Sequence, residues 1–385
     1  MISAITDGAT MGFFLRSMGF FFRTTAVIVA AIAAGVFTAI PRKVDPGTLQ
    51  PSLSGMVALV TGASRGIGFG IASSLIEAGA TVYITGRRKA TVLDACARAT
   101  SAGGECHALE ADSSSDKALK KVFDAIVKQS GHLDILVNNA FSFAGQVDPY
   151  VGEPFWRKGT SAGHMFDAAN AVGLRSHYVA SVHAAKLMAE QRSGTIVHVS
   201  SFGGLNYFFD VAYGVGKAAI DRMAADMQVE LAPFNVTSIS LWPGLVETEE
   251  VHKQNSLGAQ SNFRRLKAGA GVVDETMAMD VGKLLGTPLS ETPRGVGRAV
   301  AAVARDPSAL SDLGGKISLV SSLMVRYDLE DERGFRPPSL LSVKAVLLQA
   351  LPSLDNDLSR LWMVPDVPIV PFWLIKLASS SPRFA

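Results

Sequence analysis

Between residues 54 and 325, the hydrophobic pattern predicts short apolar strands that alternate with helices. The strands are predicted at Val57–Val60, Thr81–Thr85, Leu133–Val137, Thr195–Val199, Val236–Leu241 and Lys316–Val320. Helical periodicity fills the intervals, for example at 67–78, where Gly79 ends the run. Strands that are apolar at nearly every position are buried on both faces, as in a parallel sheet covered by helices. We therefore predict an α/β fold built on a Rossmann-type, doubly wound parallel sheet.

The first 42 residues follow a different pattern. Residues 24–40 are 17 positions without a charge, preceded by the apolar stretch 18–22. A bilayer-spanning helix needs about 20 apolar residues, with roughly 17 as the lower limit. A cleaved signal peptide and an uncleaved membrane anchor both stay open, and we favour the anchor because the run is long for a signal peptide. Basic residues flank both sides of the run, so charge leaves its orientation open.

The rest of the chain divides by composition. Residues 43–53 carry Pro, Gly and Ser and are predicted to be a linker before a catalytic domain at 54–325. Residues 326–385 form a C-terminal extension. Its apolar tail at 367–378 is too short and too interrupted by proline to span a bilayer. The tail is expected either to pack on the domain or to contact a membrane interface.

Composition and charge narrow the function classes. The net charge of +2 is spread along 385 residues, which argues against a nucleic-acid partner. Cys96 and Cys106 are the only cysteines, and we expect two reduced thiols rather than a disulfide. The seven histidines show no paired-ligand spacing, so no metal site is predicted.

A glycine-rich turn joins the first predicted strand to the first helix. Its candidate cofactor-binding residues are Gly62, Ser64, Arg65, Gly66, Ile67 and Gly68. Glycines permit a tight turn there, so a pyrophosphate can approach the helix N-terminus and its unpaired N–H groups. A glycine cluster alone is also compatible with any tight strand-to-helix turn. The flanking strand and helix favour the dinucleotide interpretation.

The end of the second strand bears on the choice of cofactor. NAD sites usually place an acidic residue there for the ribose 2′-hydroxyl. This chain has Arg87 and Arg88 instead, with Arg65 in the glycine turn. Guanidinium groups favour a 2′-phosphate, so NADP(H) is predicted. The alternative is that both arginines are ordinary solvated side chains.

Tyr213, Lys217 and Ser201 form a candidate catalytic group. Tyr213 and Lys217 are four residues apart in a helix predicted to reach Leu231, so they share one face. A neighbouring ammonium favours the phenolate, so we expect the lysine to lower the tyrosine pKa. Such a pair suits proton transfer to a carbonyl oxygen during hydride transfer from a nicotinamide. Ser201 ends a strand twelve residues earlier, where parallel-sheet enzymes place their sites.

Taken together, these residues resemble the short-chain dehydrogenase/reductase family. The matching pieces stand in family order: TGASRGIG (61–68), Asp112, Asn138-Asn139-Ala140, Asn170, Ser201, YGVGK (213–217) and PGLVET (243–248). The resemblance covers about residues 54–325 and implies the family's fold, cofactor and site roles.

The resemblance implies a role for each matching residue. Ser201, Tyr213 and Lys217 would be the catalytic triad, with Asn170 completing a tetrad through a water. Tyr213 and Lys217 would also contact the cofactor. Asp112 would contact adenine, Asn138 the ribose region, and the 243–248 loop, through Pro243, Val246 and Thr248, the nicotinamide end. Ser200 stays open as the alternative to Ser201.

Six segments resemble one branch of the family more closely: VYITGRR, LDILVNNA, the Phe155-Trp156 insertion, NAVGLRSHY, VAYGVGKAA and SLWPGLVETE. That branch is associated with the endoplasmic reticulum and with NADPH-dependent reduction of steroid, prostaglandin and xenobiotic carbonyls. The long N-terminal apolar segment departs from the branch. We expect a membrane-attached domain that faces the cytosol, where NADPH drives reduction and free thiols persist.

Aromatic residues near the predicted triad favour a bulky, lipophilic carbonyl or alcohol substrate. They are Phe141, Phe143, Phe155, Trp156 and the 205–209 segment. The same residues would equally serve the core or a homodimer face. Two other functions stay open: NADP-dependent oxidation of a lipophilic alcohol, and a non-catalytic NADP(H)-binding scaffold on a membrane.

Overall fold

The computed structural model describes residues 44–45, 52–100, 104–142, 154–157, 161–205, 210–256, 285–287 and 289–338. The predicted membrane anchor at 1–42, most of the linker and the apolar tail lie outside these described residues. No helix among the described residues is long and apolar enough to cross a membrane.

A seven-stranded parallel sheet organises the described chain. Its strands are β1 Val57–Val60, β2 Thr81–Gly86, β3 Glu105–Glu110, β4 Ile135–Asn138, β5 Gly194–Val199, β6 Val236–Trp242 and β7 Ile317–Leu319. Their spatial order is β3-β2-β1-β4-β5-β6-β7. The structure confirms the predicted Rossmann-type parallel sheet, and each of the six predicted strands begins and ends within two residues of its observed bounds.

The helices alternate with the strands along the chain, and the last one follows β7. They are α1 Gly66–Glu77, α2 Lys89–Ala99, α3 Asp116–Ser130, α4 His164–Asn170, α5 Ser176–Gln191, α6 Val211–Leu231, α7 Glu249–Ser256, α8 Pro293–Arg305, α9 Ala309–Leu313 and α10 Val320–Arg326. A π-helix at Ala171–Arg175 joins α4 to α5, and short 3₁₀ turns occur at Phe155–Arg157, Phe202–Gly204 and Ala232–Phe234.

Alternate residues of each central strand enter two separate cores, one on each face of the sheet. In β1, Ala58 and Val60 pack with α1, α2 and α8. Val57 and Leu59 pack on the other face with α3 and α5. Side chains alternate across a strand, so both sets must be apolar when helices cover both faces. This is why the strands appear in the sequence as continuous apolar runs.

The strand order places the candidate site. β1 and β4 are neighbours in the sheet although two strands separate them in the chain. Connections from these strands leave in opposite directions, which opens a crevice at their carboxyl ends. The glycine turn follows β1, Asn138 ends β4 and Ser201 follows β5. All three therefore meet at one edge of the sheet.

The two cysteines form a disulfide, so the expectation of reduced thiols is wrong. Cys96 lies on α2 and Cys106 on β3, with their Cα atoms 5.5 Å apart. A Cα separation of roughly 4.4–6.8 Å suits a disulfide. The helix that precedes β3 packs back on the sheet beside it and brings together two residues ten positions apart. The sequence spacing carries no sign of that juxtaposition.

Candidate active site

The glycine turn has a backbone that side chains would not allow. Gly62 and Gly66 have φ of +65° and +59°, in the left-handed region that favours glycine. A Cβ on Gly62 would stand 2.8 Å from the Ala140 Cα, and one on Gly68 would collide with the Asn139 side chain. These positions therefore form an open cradle between β1 and α1, as predicted for a dinucleotide phosphate.

Asn139 and Thr61 hold this cradle in place. The Asn139 Nδ2 donates to the carbonyl oxygens of Thr61 and Gly62 at 2.9 and 3.1 Å. The Thr61 hydroxyl oxygen accepts from the Asn139 N–H at 3.0 Å. Sequence reasoning gave Asn139 no role, although it stands in the matched Asn-Asn-Ala motif.

The Asn138 side chain points away from the glycine turn. It is fully buried, and its Nδ2 donates to the Ser181 Oγ at 2.9 Å. His198 lies 3.3 Å from the same Nδ2. Successive residues at a strand end point to opposite faces. Asn138 therefore packs beneath the sheet, and Asn139 faces the glycine turn.

Carboxylates occupy the α1 N-terminus. The Gly66 N–H donates to the Glu249 carboxylate at 3.0 Å, and Arg65 pairs with Glu250 at 3.3 Å. Unpaired N–H groups and the helix dipole make this end of a helix a binding place for anions. The Glu249 carboxylate shows that the Gly66 donor is turned toward such a group. The turn therefore fits a cofactor pyrophosphate, with Ser64 and Ile67 in the same loop and first helical turn.

Hydrogen bonds connect the end of β2 to the glycine turn. The Thr85 carbonyl accepts from Ala63 at 3.0 Å, and its hydroxyl accepts from Gly62 at 3.2 Å. Arg87 and Arg88 follow and are both exposed. Arg98, which the sequence did not single out, lies with a guanidinium nitrogen 3.5 Å from the Ser64 carbonyl. Arg87 and Arg88 thus follow the end of β2, and Arg98 reaches the glycine turn itself.

Asp112 lies just beyond β3, at the same edge of the sheet. Its Oδ1 accepts from the Ser114 N–H and hydroxyl at 2.9 and 2.8 Å. The Ala111 N–H donates to the Gly86 carbonyl at 3.0 Å, which links this turn to the end of β2. The structure therefore places Asp112 one strand away from Arg87 and Arg88, and its contact with adenine stays a prediction.

Tyr213 and Ser201 are in direct contact. The Tyr213 hydroxyl donates to the Ser201 Oγ at 2.8 Å. Ser201 follows β5 in an extended conformation, and its Oγ also accepts from the Gly203 N–H at 2.9 Å. Tyr213 stands in the first turn of α6, where the Asp210 side chain caps the helix through Ala212. The end of β5 and the start of α6 thus bring the Ser201 and Tyr213 hydroxyls together.

The contacts distinguish the two candidate serines. The Ser200 hydroxyl is buried and donates to the Lys217 carbonyl at 3.2 Å. It therefore braces the α6 backbone. Ser201 is the serine that contacts the Tyr213 hydroxyl.

Lys217 lies buried one turn below Tyr213. Its Nζ donates to the Val199 carbonyl at 3.0 Å and stands 4.8 Å from the centre of the Phe141 ring. Burial lowers the pKa of Lys217 to about 8, against an opposing effect of the Asp221 carboxylate. Phe141 also meets the Tyr213 ring edge-on, with centroids 5.8 Å apart.

The tyrosine pKa moves against the expectation from sequence. Burial raises the pKa of Tyr213 to about 12, although the Ser201 hydrogen bond lowers it. Removing a phenol from water disfavours its charged form. The Lys217 ammonium is directed at the Val199 carbonyl and lies 5.8 Å from the centre of the tyrosine ring. At neutral pH Tyr213 therefore keeps its proton.

Asn170 reaches the same helix. It ends α4, and its Nδ2 donates to the Phe166 and Ala212 carbonyls at 3.0 and 3.2 Å. A Cβ on Gly216 would collide with the Asn170 Oδ1, so this glycine permits the close approach. The π-helix that begins at 171 is a feature found often at functional sites. Asn170 is thus packed against the turn of α6 that carries Tyr213 and Lys217.

Asp221 lies on α6, one helical turn after Lys217, and sequence reasoning missed it. Its Oδ1 accepts from the Ser240 hydroxyl at 2.6 Å and from the Trp242 Nε1 at 2.9 Å. Burial raises the pKa of Asp221, against the lowering effect of these hydrogen bonds and of Lys217. Its position four residues after Lys217 is the signal that would have revealed it.

The loop after β6 lies against the glycine turn. A Cβ placed on Gly66 would meet the Thr248 side chain first, with its Cγ2 3.6 Å away. Val246 is buried and forms a β-bridge with Glu291. Pro243 opens the loop and is half-buried. The structure therefore brings the predicted nicotinamide loop beside the cradle.

The predicted aromatic residues are only partly near the triad. Phe141 contacts Tyr213 and Lys217, whereas Phe155 and Trp156 are exposed and meet edge-on in a short 3₁₀ turn. Phe143 and residues 206–209 lie outside the described residues.

Comparisons with known proteins agree with this geometry. A family model described as short chain dehydrogenase matches residues 56–257. Dehydrogenase/reductase SDR family member 1 of Homo sapiens is 39% identical over 335 residues, covering 85% of this chain and 98% of that protein. The 3-oxoacyl-[acyl-carrier-protein] reductase FabG of Aquifex aeolicus is 32% identical over 206 residues, covering 52% of this chain and 78% of that protein. A solved short-chain type dehydrogenase/reductase from Mycobacterium marinum shares the fold, with a TM-score of 0.57 and 23% identity over 71% of this chain and 97% of that one.

Proposed function

We propose that this chain reduces carbonyl groups of lipophilic substrates with NADPH. The chain belongs to the short-chain dehydrogenase/reductase family, as its motifs predicted. One observation carries the proposal. The Tyr213 hydroxyl, with its proton, donates to Ser201 at 2.8 Å at the carboxyl edge of the sheet, with Lys217 buried one helical turn below. A bound nicotinamide would supply the hydride for such a reduction.

The direction of the reaction depends on the cofactor supply, and Tyr213 can serve the reductive direction. Reduction of a carbonyl needs a proton at the developing alkoxide, whereas oxidation of an alcohol needs a base. With its pKa raised to about 12, Tyr213 is a proton donor at neutral pH. Ser201 offers a hydroxyl to the same substrate oxygen. An NADP(H) site in the cytosol meets a mostly reduced cofactor pool, so we place reduction ahead of the oxidation of a lipophilic alcohol.

Lys217 has two tasks in this proposal. Its ammonium lies near the phenol, so it stabilises negative charge as the proton leaves Tyr213. It also stands beside Asn170 and the Val199 carbonyl, where a ribose hydroxyl would find a donor. Tyr213 and Lys217 are both present and both buried on α6, and this supports an enzyme over a non-catalytic scaffold.

The preference for NADPH is supported by charge. Arg65, Arg87 and Arg88 border the glycine turn, and no carboxylate ends β2. A phosphate monoester gains charge-assisted hydrogen bonds from guanidinium groups that a ribose hydroxyl does not.

The substrate class is supported by the apolar surface beside the triad. Phe141 covers one side of Tyr213, and the exposed Phe155 and Trp156 belong to the insertion that follows it in the chain. A steroid-, prostaglandin- or xenobiotic-like ketone would bury such surface. Each buried CH₂ of a substrate is worth about 0.8 kcal/mol.

We also propose that residues 1–42 attach the protein to a membrane, with the domain facing the cytosol at the endoplasmic reticulum. The cytosolic orientation now rests on the NADPH supply alone, because the Cys96–Cys106 disulfide removes the argument from free thiols. Carbonate washing of membranes that contain the full chain tests the attachment, and release of a shortened soluble chain would refute it. Protease protection of the domain in sealed microsomes would reverse the orientation.

The direct test of function uses purified protein, NADPH and a panel of ketones and quinones. Oxidation of NADPH that depends on a bulky ketone supports the proposal. Turnover confined to an alcohol with NADP⁺ would favour the oxidative alternative. Binding of NADPH without turnover of any panel member would favour the scaffold.

A further inference from the structure

Arg333 connects the C-terminal extension to the candidate cofactor loop. It lies well beyond residues 56–257, which the family model matches. Its Nη1 donates to the Glu247 carboxylate at 2.6 Å, and its Nη2 donates to the Ser290 carbonyl at 2.7 Å. Glu247 belongs to the 243–248 loop. One side chain therefore joins three separate segments of the chain.

Arg333 is itself held in one orientation. The Asp331 carboxylate accepts from the Arg333 Nε and Nη2 at 2.9 and 2.7 Å. The Asp331 side chain is 0% exposed. Its other oxygen accepts from the backbone N–H groups of Arg333 and Phe335 at 2.9 and 3.0 Å. A buried carboxylate that is fully hydrogen-bonded aims the guanidinium toward Glu247, and such charge-assisted bonds are stronger than neutral ones.

Glu247 gathers several donors beyond Arg333. Its Oε1 accepts from the Gly286 N–H at 3.1 Å and from the Ser290 hydroxyl. Burial alone would raise the pKa of Glu247, but Ser290, Gly286 and Arg333 together lower it. The carboxylate is therefore charged at neutral pH and holds its partners as an anion.

The backbone around Glu247 is fixed in the same way. The Glu247 N–H donates to the Glu291 carbonyl at 2.9 Å, and the Glu291 N–H donates to the Leu245 carbonyl at 2.7 Å. The Glu291 carboxylate accepts from the Gly244 N–H at 3.0 Å. Residues 244–247 are thus tied to 290–291 along their length, and Arg333 closes the arrangement from outside.

We propose that Arg333 is a positioning residue for the cofactor-binding loop, and that residues 327–338 help to form the cofactor site by fixing this loop. Glu247 stands between Val246 and Thr248, the residues expected at the nicotinamide end. Fixing Glu247 therefore fixes both neighbours relative to the glycine turn. This inference rests on the proposed function and adds a residue set outside the matched family region.

The chain offers a matched control for testing Arg333. Arg336 lies in the same segment and pairs with Asp328 at 2.9 Å and with the Leu329 carbonyl. It touches no residue of the 243–248 loop among its described contacts. Arg336→Met therefore removes an arginine ion pair from the same segment and leaves the loop contacts intact.

The test compares wild type, Arg333→Met, Arg333→Lys and Arg336→Met for NADPH Kd, NADPH KM and kcat, with Tm as a record of folding. We expect Arg333→Met to raise the Kd and KM for NADPH by about 5- to 150-fold, as for energetic coupling of 1–3 kcal/mol. The KM for the carbonyl substrate should move less, Arg333→Lys should recover part of the loss, and Arg336→Met should resemble wild type.

Other outcomes separate this inference from the proposed function. If wild type binds NADPH and Arg333→Met binds it equally well, the inference about Arg333 is wrong and the proposed function stands. Wild type that binds no NADPH overturns both. If Arg333→Met does not fold, Glu247→Gln removes the same charge pair with little change of shape. Unchanged NADPH binding in Glu247→Gln would then be the contradicting result.

Discussion

The Glu249 carboxylate accepts a hydrogen bond from the Gly66 N–H across 3.0 Å, at the N-terminus of α1. This is the donor that a cofactor pyrophosphate would use. Glu250 similarly holds Arg65 in the same turn. Two acidic residues at the start of α7 therefore compete with the cofactor for the groups that would bind it.

We predict that Glu249→Gln tightens NADPH binding by roughly two- to fivefold. A charge at a helix N-terminus contributes about 0.3–1 kcal/mol, and the amide no longer competes as an anion. Fluorescence titration with NADPH measures the change. Glu230→Gln, an exposed position at the far end of α6, is the control. Weaker binding by the Glu249 variant would show that its carboxylate supports the cofactor site.

Replacing Arg87 with Asp and Arg88 with Ala should reverse the cofactor preference. Hydrogen bonds to charged groups contribute about 1.5–3 kcal/mol each, so NADPH binding should weaken by roughly 10²-fold or more. NADH binding should change little, because NADH carries no 2′-phosphate. The ratio of kcat/KM for the two cofactors measures this. Wild type that already prefers NADH would contradict the account.

Asp221→Asn should change the pH dependence of turnover. The Lys217 pKa is lowered to about 8 by burial, and the Asp221 charge opposes that effect. The ammonium is present below its pKa, so activity that needs it is lost as pH rises through about 8. Removing the Asp221 charge should move this alkaline limb to lower pH by roughly one unit.

A profile of kcat/KM against pH measures this shift. Asp226→Asn, which breaks an exposed pair with Arg222 on the same helix, is the control. An unchanged alkaline limb in Asp221→Asn would show that Lys217 does not depend on this carboxylate.

The sheet and the positions of the main motifs were predictable because each rests on local pattern. Strands such as β1 and β6 are buried at every position, which makes them visible as apolar runs. The glycine turn and the Tyr213–Lys217 spacing are equally local. In a parallel sheet the carboxyl ends of the strands lie at the same edge. The strand positions alone therefore predict which residues meet there.

Other features depend on which face a side chain takes and on what lies beside it. Asn138 and Asn139 are adjacent, yet one packs beneath the sheet and the other holds the glycine turn. The Tyr213 pKa is raised because burial outweighs the lowering effect of the Ser201 hydrogen bond, a balance set by tertiary packing. The Cys96–Cys106 disulfide likewise requires α2 to lie against β3.

The disulfide gives a further prediction. The bond closes a short loop, so removing it should lower the free energy of unfolding by about 2–3 kcal/mol. Urea unfolding of Cys96→Ser with Cys106→Ser, compared with oxidised wild type, measures the loss. Thiol labelling of the unfolded, unreduced protein should find no reactive cysteine. Labelling of two thiols per chain would instead restore the expectation of reduced cysteines.

The most direct test of the central claim is the kcat of Tyr213→Phe for carbonyl reduction with NADPH. The substitution keeps the ring and its contact with Phe141 but removes the proton that the hydroxyl donates. We expect kcat to fall by roughly 10²–10⁴-fold while NADPH binding stays close to wild type. A variant that retains wild-type turnover would contradict the assignment of Tyr213 as the proton donor.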